Sequence, residues 1–388
     1  MKKLIVLSVV LALAVGTAFA VDLGANVVGT FNVVTGDSGK DAAGDANPLG
    51  ASGTLNKLQL QGAGEAGDGN FGAWIRASGS SGSLNGFAWW KPIDQLKITL
   101  GGNPDGMFDK NGVAGWSFGQ IIYDTGVVLT QDNIWGGSNI YGGHLKYRNA
   151  LYRGFGGDGL IMEINPVDML GINLVVPFAA AGTKAEDVYR KLIGQVNLNF
   201  DFGNIALTYE GDDNYLSYSE SWDGKAGDNF YAFFGLSAIE NLNLDLGVGL
   251  QFNNDDGYKN PFYVAFGVKY VAGAFGIKLR GALLLPSEDD QSLEVLAELL
   301  PYYAISDSVK AFFAAGLGLT APSKNALDID SGAESVVGFH INPYLEIGNE
   351  WGPAFYIGLQ IWSDGKKTPA GDDPVVKWAV PIGVNVSF

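Results

Sequence analysis

The chain closes with Val376-Lys377-Trp378-Ala379-Val380-Pro381-Ile382-Gly383-Val384-Asn385-Val386-Ser387-Phe388. Val376, Trp378, Val380, Ile382, Val384, Val386 and Phe388 are apolar, and the residues between them are small or polar. Successive side chains of a strand point to opposite faces, so this is a strand with one wholly apolar face and one that tolerates water. At the edge of a soluble sheet such a strand would be sticky. A sheet closed on itself removes the edge, turning the apolar face to hydrocarbon and the other to an aqueous lumen. The fold expected is all-β, a transmembrane antiparallel up-and-down β-barrel.

The opening of the chain agrees. Lys2 and Lys3 precede an apolar run from Leu4 to Val15, then Gly16, Thr17 and Ala18-Phe19-Ala20. That order is a secretory signal with cleavage before Val21, and the run falls short of the ~20 residues a helical span needs. The expected plan is a cleaved signal peptide over 1–20 and a barrel over 21–388. Loss of Lys2 and Lys3 takes the formal charge from −17 to −19, and with no basic tract the chain offers nothing to nucleic acid. The chain has no Cys, which excludes disulfides and a lipid-anchored cysteine. Past the signal no apolar run is long enough for a helical span, although 47% of residues are hydrophobic and 56 are Gly. A helical membrane protein is excluded, and a Gly-rich chain of alternating segments remains.

The terminal alternation ending in Phe388 resembles the last strand of bacterial outer-membrane β-barrel proteins, with Ile382, Val384 and Val386 at matching positions. The resemblance implies that Phe388 is an assembly signal. It also implies residence in the outer membrane of a double-membrane bacterium. The partners implied are outer-membrane lipid, the barrel-assembly machinery and periplasmic chaperones.

Alternation begins early: Leu23, Ala25, Val27, Gly29, Phe31 and Val33 share one side, and Asn26, Thr30 and Asn32 the other. After a Gly- and Asp-rich loop, strands are expected near 55–62, 71–77 and 84–90. The clearest runs from Leu242 to Phe252, with Leu242, Leu244, Leu246, Val248, Leu250 and Phe252 outward. Its inward set is Asn243, Asp245, Gly247, Gly249 and Gln251.

Three turns repeat one pattern. Pro92-Ile93-Asp94-Gln95-Leu96, Pro166-Val167-Asp168-Met169-Leu170 and Ala238-Ile239-Glu240-Asn241-Leu242 each place an acidic residue just before an alternating strand. Pro fixes φ and Asp bonds nearby backbone, so these read as equivalent turns on one rim, though each alone resembles any hairpin turn. Gly203-Asn204 reads as a two-residue turn pairing Phe202 with Ile205, Phe200 with Leu207 and Leu198 with Tyr209. A turn at Gly273-Ala274 pairs Tyr270 with Ile277 and Ala272 with Phe275. Longer polar connections at 211–229, 253–260, 286–291, 322–334 and 363–374 alternate with the short ones, the layout of outer-membrane barrels. Spacing and even parity give about 16–18 strands. Ser292 to Tyr303 also fits a helix through Leu293, Leu296 and Leu300, but Pro301 and the flanking strands favour a strand. The stretch 142–152 is a further strand, part of a loop or a hairpin limb.

The longest irregular segment, 102–142, carries Asp105 and Asp109 among several aromatics. In porins, which this layout resembles, one long loop folds into the barrel and narrows it. The resemblance implies a constriction loop here; the plainer reading is a surface loop over the rim. Alternation turns Arg76, Lys97, Lys269, Lys278, Arg280 and Lys310 inward, with Glu163, Asp245, Glu294 and Glu298. Crossed charges of this kind set the field of a pore, or else simply solvate a hydrated interior. Lys269 and Lys278 fall opposite each other, a pairing that needs water or nearby carboxylates. Trp74, Phe87 and Trp89 form either an aromatic track, as in sugar-specific porins, or part of the interfacial aromatic girdle.

Acidic loops around Asp212, Asp213, Asp255 and Asp256 should favour cations at the mouth, and none has the ligand spacing of a calcium loop. His144 and His340, the only histidines, lie in no recognisable constellation with a nucleophile or metal ligands. No cofactor, metal site or catalytic residue is expected. The function expected is a porin-like channel for passive diffusion of small hydrophilic solutes or ions, with a homotrimer as the candidate assembly. Barrels of about 16–18 strands leave a channel that about 8 strands would fill. The alternatives are a surface-exposed barrel adhesin or antigen without an open pore, and a substrate-specific channel for a sugar or an apolar solute.

Overall fold

The structure, a computed structural model, describes residues 20–39, 47–65, 69–78, 84–102, 158–178, 184–213, 227–253, 262–285, 293–321, 335–348, 353–363, 365 and 374–387. Outside them lie the expected signal up to residue 19, Asp105, Asp109 and the 102–142 segment beyond Gly102, the stretch 142–152, and Phe388.

Among the described residues alternation produces nineteen strand segments in one antiparallel sheet. The first five are β1 (Ala20–Asp37), β2 (Gly50–Glu65), β3 (Phe71–Ser78), β4 (Leu84–Ile93) and β5 (Leu96–Gly102). Next come β6 (Asp158–Val167), β7 (Leu170–Pro177), β8 (Ile193–Phe200), β9 (Gly203–Asp213) and β10 (Gly227–Ile239), with a one-turn helix α1 (Ala185–Tyr189) between β7 and β8. Then follow β11 (Leu242–Asn253), β12 (Phe262–Ala272), β13 (Phe275–Leu285), β14 (Leu293–Ser306) and β15 (Val309–Ala321). The last are β16 (Val336–Gly348), β17 (Ala354–Gly358), β18 (Gln360–Ser363) and β19 (Val376–Ser387).

β17 and β18 each pair with both β16 and β19, so they are two halves of one stave. The break is at Leu359, whose N–H donates to the Pro343 carbonyl at 2.9 Å, while Pro343 has no N–H to return. The described residues therefore form eighteen staves, within the expected range and even in number. Closure is direct: β1 pairs with β19, Val27 opposite Val386 and Asp37 opposite Lys377, with a bulge between Asn32 and Val34. No edge is left between the first strand and the last.

The outer face carries the apolar residues. Leu246 is 48% exposed, and Phe31, Phe266, Leu317 and Val384 are likewise exposed, while Asp245, Ala265, Ala314 and Ala379 on the inner face are buried. Such an apolar surface on a soluble monomer would be a liability; around a closed ring it matches hydrocarbon.

Two-residue turns join alternate strands on one rim. They are Asp94-Gln95, Asp168-Met169, Asp201-Phe202, Glu240-Asn241, Gly273-Ala274 and Asp307-Ser308. The acidic turn pattern read at three places thus recurs at Asp201 and Asp307. Asn241 takes φ 64 and Gly273 φ 58, the left-handed conformation tight hairpins require. The register expected across Gly273-Ala274 is present, with Tyr270 opposite Ile277 and Ala272 opposite Phe275.

The register expected at Gly203-Asn204 is not. The turn residues are Asp201 and Phe202, so Phe200 pairs with Gly203, Leu198 with Ile205 and Val196 with Leu207. Gly203, at φ +153, lies in the ladder instead, where a Cβ would run into the Gly235 carbonyl of β10. The slip is even, so the apolar faces still coincide. In β14, Leu300 is buried on the inner face and Val295 exposed on the outer one. Apolar residues on both faces are why that strand also fits a helical period.

Candidate functional site: the inner wall of the barrel

On β3 and β4, Phe71 and Trp90 point outward and stack at 6.1 Å, the girdle position. Trp74, Arg76, Phe87 and Trp89 have the opposite parity and face the lumen. The girdle reading of Trp74, Phe87 and Trp89 is therefore corrected, because alternation places them on the face of Arg76. Trp74 and Phe87 are ladder partners whose rings lie 5.4 Å apart and 22° from parallel, and Phe87 meets Trp89 at 5.9 Å. Gly72 is the ladder partner of Trp89, and the indole occupies the space a Cβ there would need.

A cation stands at each end of this row. The Arg76 guanidinium carbon is 5.2 Å from the Trp74 ring centre, and Lys97 Nζ is 5.9 Å from that of Trp89. Lys97 Nζ also lies 3.0 Å from Glu163 Oε2, its ladder partner across β5 and β6. The same inner row continues through Asn173, Gln195 and Thr208. Asn173 donates to Gln195 Oε1 at 3.3 Å and Gln195 donates to Thr208 Oγ1 at 3.0 Å, so the wall here is a hydrogen-bonded polar ladder. One inner row departs from polarity: Ile161 and Val175 are buried, with Ile193 packed against them and Thr99, also buried, at the head of the row.

The wall from β11 to β18 is of another kind. Lys269 and Lys278 are opposite each other as expected, yet Lys278 is only 3% exposed. Glu298 is 1% exposed, and Asp245 and Glu346 are also buried. The expectation that water solvates the inward charges is corrected for Asp245, Lys278, Glu298 and Glu346, which are packed away from solvent, whereas the Lys310 side chain keeps 24% of its surface exposed. Arg280 is in register with Glu298, and Glu294 with Leu284 and Thr320. Lys310 Nζ is 3.8 Å from Glu346 Oε1. Near the short-turn rim an aromatic row crosses four strands, Tyr302 to Phe312 at 5.5 Å, Phe312 to Tyr344 at 4.7 Å, and Tyr344 to Tyr356 at 6.5 Å. His340 is inward and buried, lying across Gly316.

Sequence reading missed Glu210 and Glu346 among the inward carboxylates and missed the tyrosine row. The signal for most of these was present, because stepping by two from inward His340 reaches Asn342, Tyr344 and Glu346. Among the described residues no group of His, Cys, Asp or Glu could hold a metal ion.

No protein-family model matches the sequence, and no curated protein matches it. Solved structures do match in shape. OpdL of Pseudomonas aeruginosa aligns with a TM-score of 0.54 at 9% identity, over 95% of this chain and 98% of that one. The anion-selective porin from Comamonas acidovorans aligns with a TM-score of 0.50 at 14% identity, over 95% of this chain and 100% of that one. At such identities the likeness is one of fold, and the fold is a porin-like barrel.

Proposed function

We propose that the protein is an outer-membrane channel for passive diffusion of small hydrophilic solutes or ions, and not an enzyme. The observation that carries this is the closed ring of eighteen staves, apolar and exposed outside, with charged and amide side chains directed inward. A ring of that size encloses more room than its own inward side chains fill. Inward Gln61, the ladder partner of Arg76, is exposed, as an open inner wall requires. The net charge of −17 favours a weak preference for cations at the mouths. Phe388 as the assembly signal, residues 102–142 as a constriction loop and a homotrimer as the assembly belong to the same reading. Swelling of liposomes containing the purified protein in solutions of graded sugars tests it: swelling that falls with solute size is expected, and none would oppose it.

A second reading has one specific observation behind it. Lys278, Asp245, Glu298 and Glu346 face inward and are buried, which suits a barrel without an open pore, displayed as an adhesin or antigen. The same swelling experiment separates the two.

A further inference from the structure

We infer that the rim joining β7 to β8 docks the anionic phosphate headgroup of a membrane lipid, with Arg190 and Lys191 as its cations and Phe178, Tyr189 and Tyr209 beside them. The inference needs the barrel to sit in a bilayer and does not need its pore to be open. β6 and β7 meet at the short turn Asp168-Met169, so the connection from β7 to β8 lies on the opposite rim. Its second half is held down. Lys191 N–H donates to the Val188 carbonyl at 3.1 Å, Leu192 N–H to the Tyr189 carbonyl at 3.3 Å, and Gly211 N–H of β9 to the Leu192 carbonyl at 2.9 Å. Gly211 shares the outward parity of Leu207 and Tyr209, and a Cβ placed on it would run into the Arg190 carbonyl, with the Tyr209 hydroxyl 3.2 Å away. The end of α1 is therefore laid over the outer face of β9, on the lipid side of the wall.

Polarity and charge change together here. Phe178 continues the outward series Leu170, Ile172, Leu174 and Val176, and Phe178, Tyr189 and Tyr209 are all exposed. Exposed aromatic rings at the end of an apolar belt mark the level of lipid headgroups. Arg190 and Lys191 follow Tyr189 directly and are exposed as well, and among the described residues neither side chain has an ion pair or a hydrogen bond. Lys184 has a contact of its own and is not counted. The two acids of the stretch, Glu186 and Asp187, come about one turn earlier in the sequence. Two adjacent cations without a carboxylate partner, at headgroup level, attract an anionic phosphate and give a zwitterionic choline headgroup no net attraction. A chain of net charge −17 repels a dissolved anion, whereas a lipid is kept at the level of the cations by its acyl chains. The occupant is thus a phospholipid and not free phosphate.

The test is native mass spectrometry of the folded full chain in detergent containing phosphatidic acid and phosphatidylcholine of the same acyl chains in equal amounts. Phosphatidic acid should be retained in preference. Arg190→Gln and Lys191→Gln should each weaken that retention about fivefold, and Arg190→Lys should keep most of it. Inorganic phosphate at the concentration of the lipid should displace none. Equal retention of the two lipids, or retention unchanged in the double variant, overturns the site. Displacement by inorganic phosphate also overturns it, marking a site for a dissolved anion. The unaltered protein supplies a check that no folding defect can confuse: added salt should weaken the preference for phosphatidic acid, and a preference indifferent to salt overturns the site. The channel reading is judged separately, since a folded protein that carries no current loses the pore and keeps the lipid site.

Discussion

Phe31 on the first strand and Ile382 on the last are ladder partners on the outer face of the ring, so the two ends of the chain meet in register. The chain contains no Cys, which makes that seam easy to examine. Phe31→Cys with Ile382→Cys should form a disulfide under mild oxidation and change gel mobility only without reductant. Phe31→Cys with Val384→Cys, offset by two residues, should cross-link poorly, because diagonal neighbours stand about 7–8 Å apart. Equal cross-linking of the two pairs would contradict the register.

Leu246 and Asn243 lie on one strand and look opposite ways. Leu246→Arg puts a charge on the hydrocarbon face mid-strand and should destabilise the folded barrel by about 2–4 kcal/mol. Asn243→Ser, on the inner face, should change stability by no more than about 0.5 kcal/mol. Urea unfolding in lipid vesicles measures both.

Lys97 and Glu163 form an ion pair within the lumen, half of it of each sign. Glu163→Gln should move the reversal potential toward anions and Lys97→Gln toward cations, with the double variant near the parent. Shifts of the same sign in both would remove this pair from the conduction path.

Glu298 offers the contrast in burial. At 1% exposure its carboxyl lies away from water, in register with Arg280, and Glu298→Ala, which removes a buried polar group from its setting, should cost about 1–3 kcal/mol. Glu163→Gln, at a partly solvated pair, should cost about 1 kcal/mol or less. Denaturation of the two variants side by side checks the ordering.

Much of this architecture can be read from alternation, and the places where reading fails have physical causes. β19 and β11 keep one parity throughout, so their faces are plain, and the Gly273-Ala274 hairpin follows because only one register lets both apolar faces agree. At Gly203 two glycine roles compete. A turn glycine and a glycine that lets a neighbouring carbonyl approach look the same until β10 is in place. The inward aspect of Trp74 was implied by that of Arg76 two residues on, but bulky aromatics suit either a girdle or a lumen. Burial of Lys278 and Glu298 could not be read at all, because alternation says which face a side chain takes and not what packs over it. The apolar stretch of Ile161, Val175 and Ile193 on the inner face breaks the rule of two solvents for the same reason.

The measurement that bears most directly on the central claim is a planar-bilayer recording of the purified, folded protein. An aqueous path through the ring predicts discrete, nearly ohmic current steps in potassium chloride, with a reversal potential weakly favouring potassium in a salt gradient. A bilayer that stays silent although the barrel is folded and inserted would contradict it.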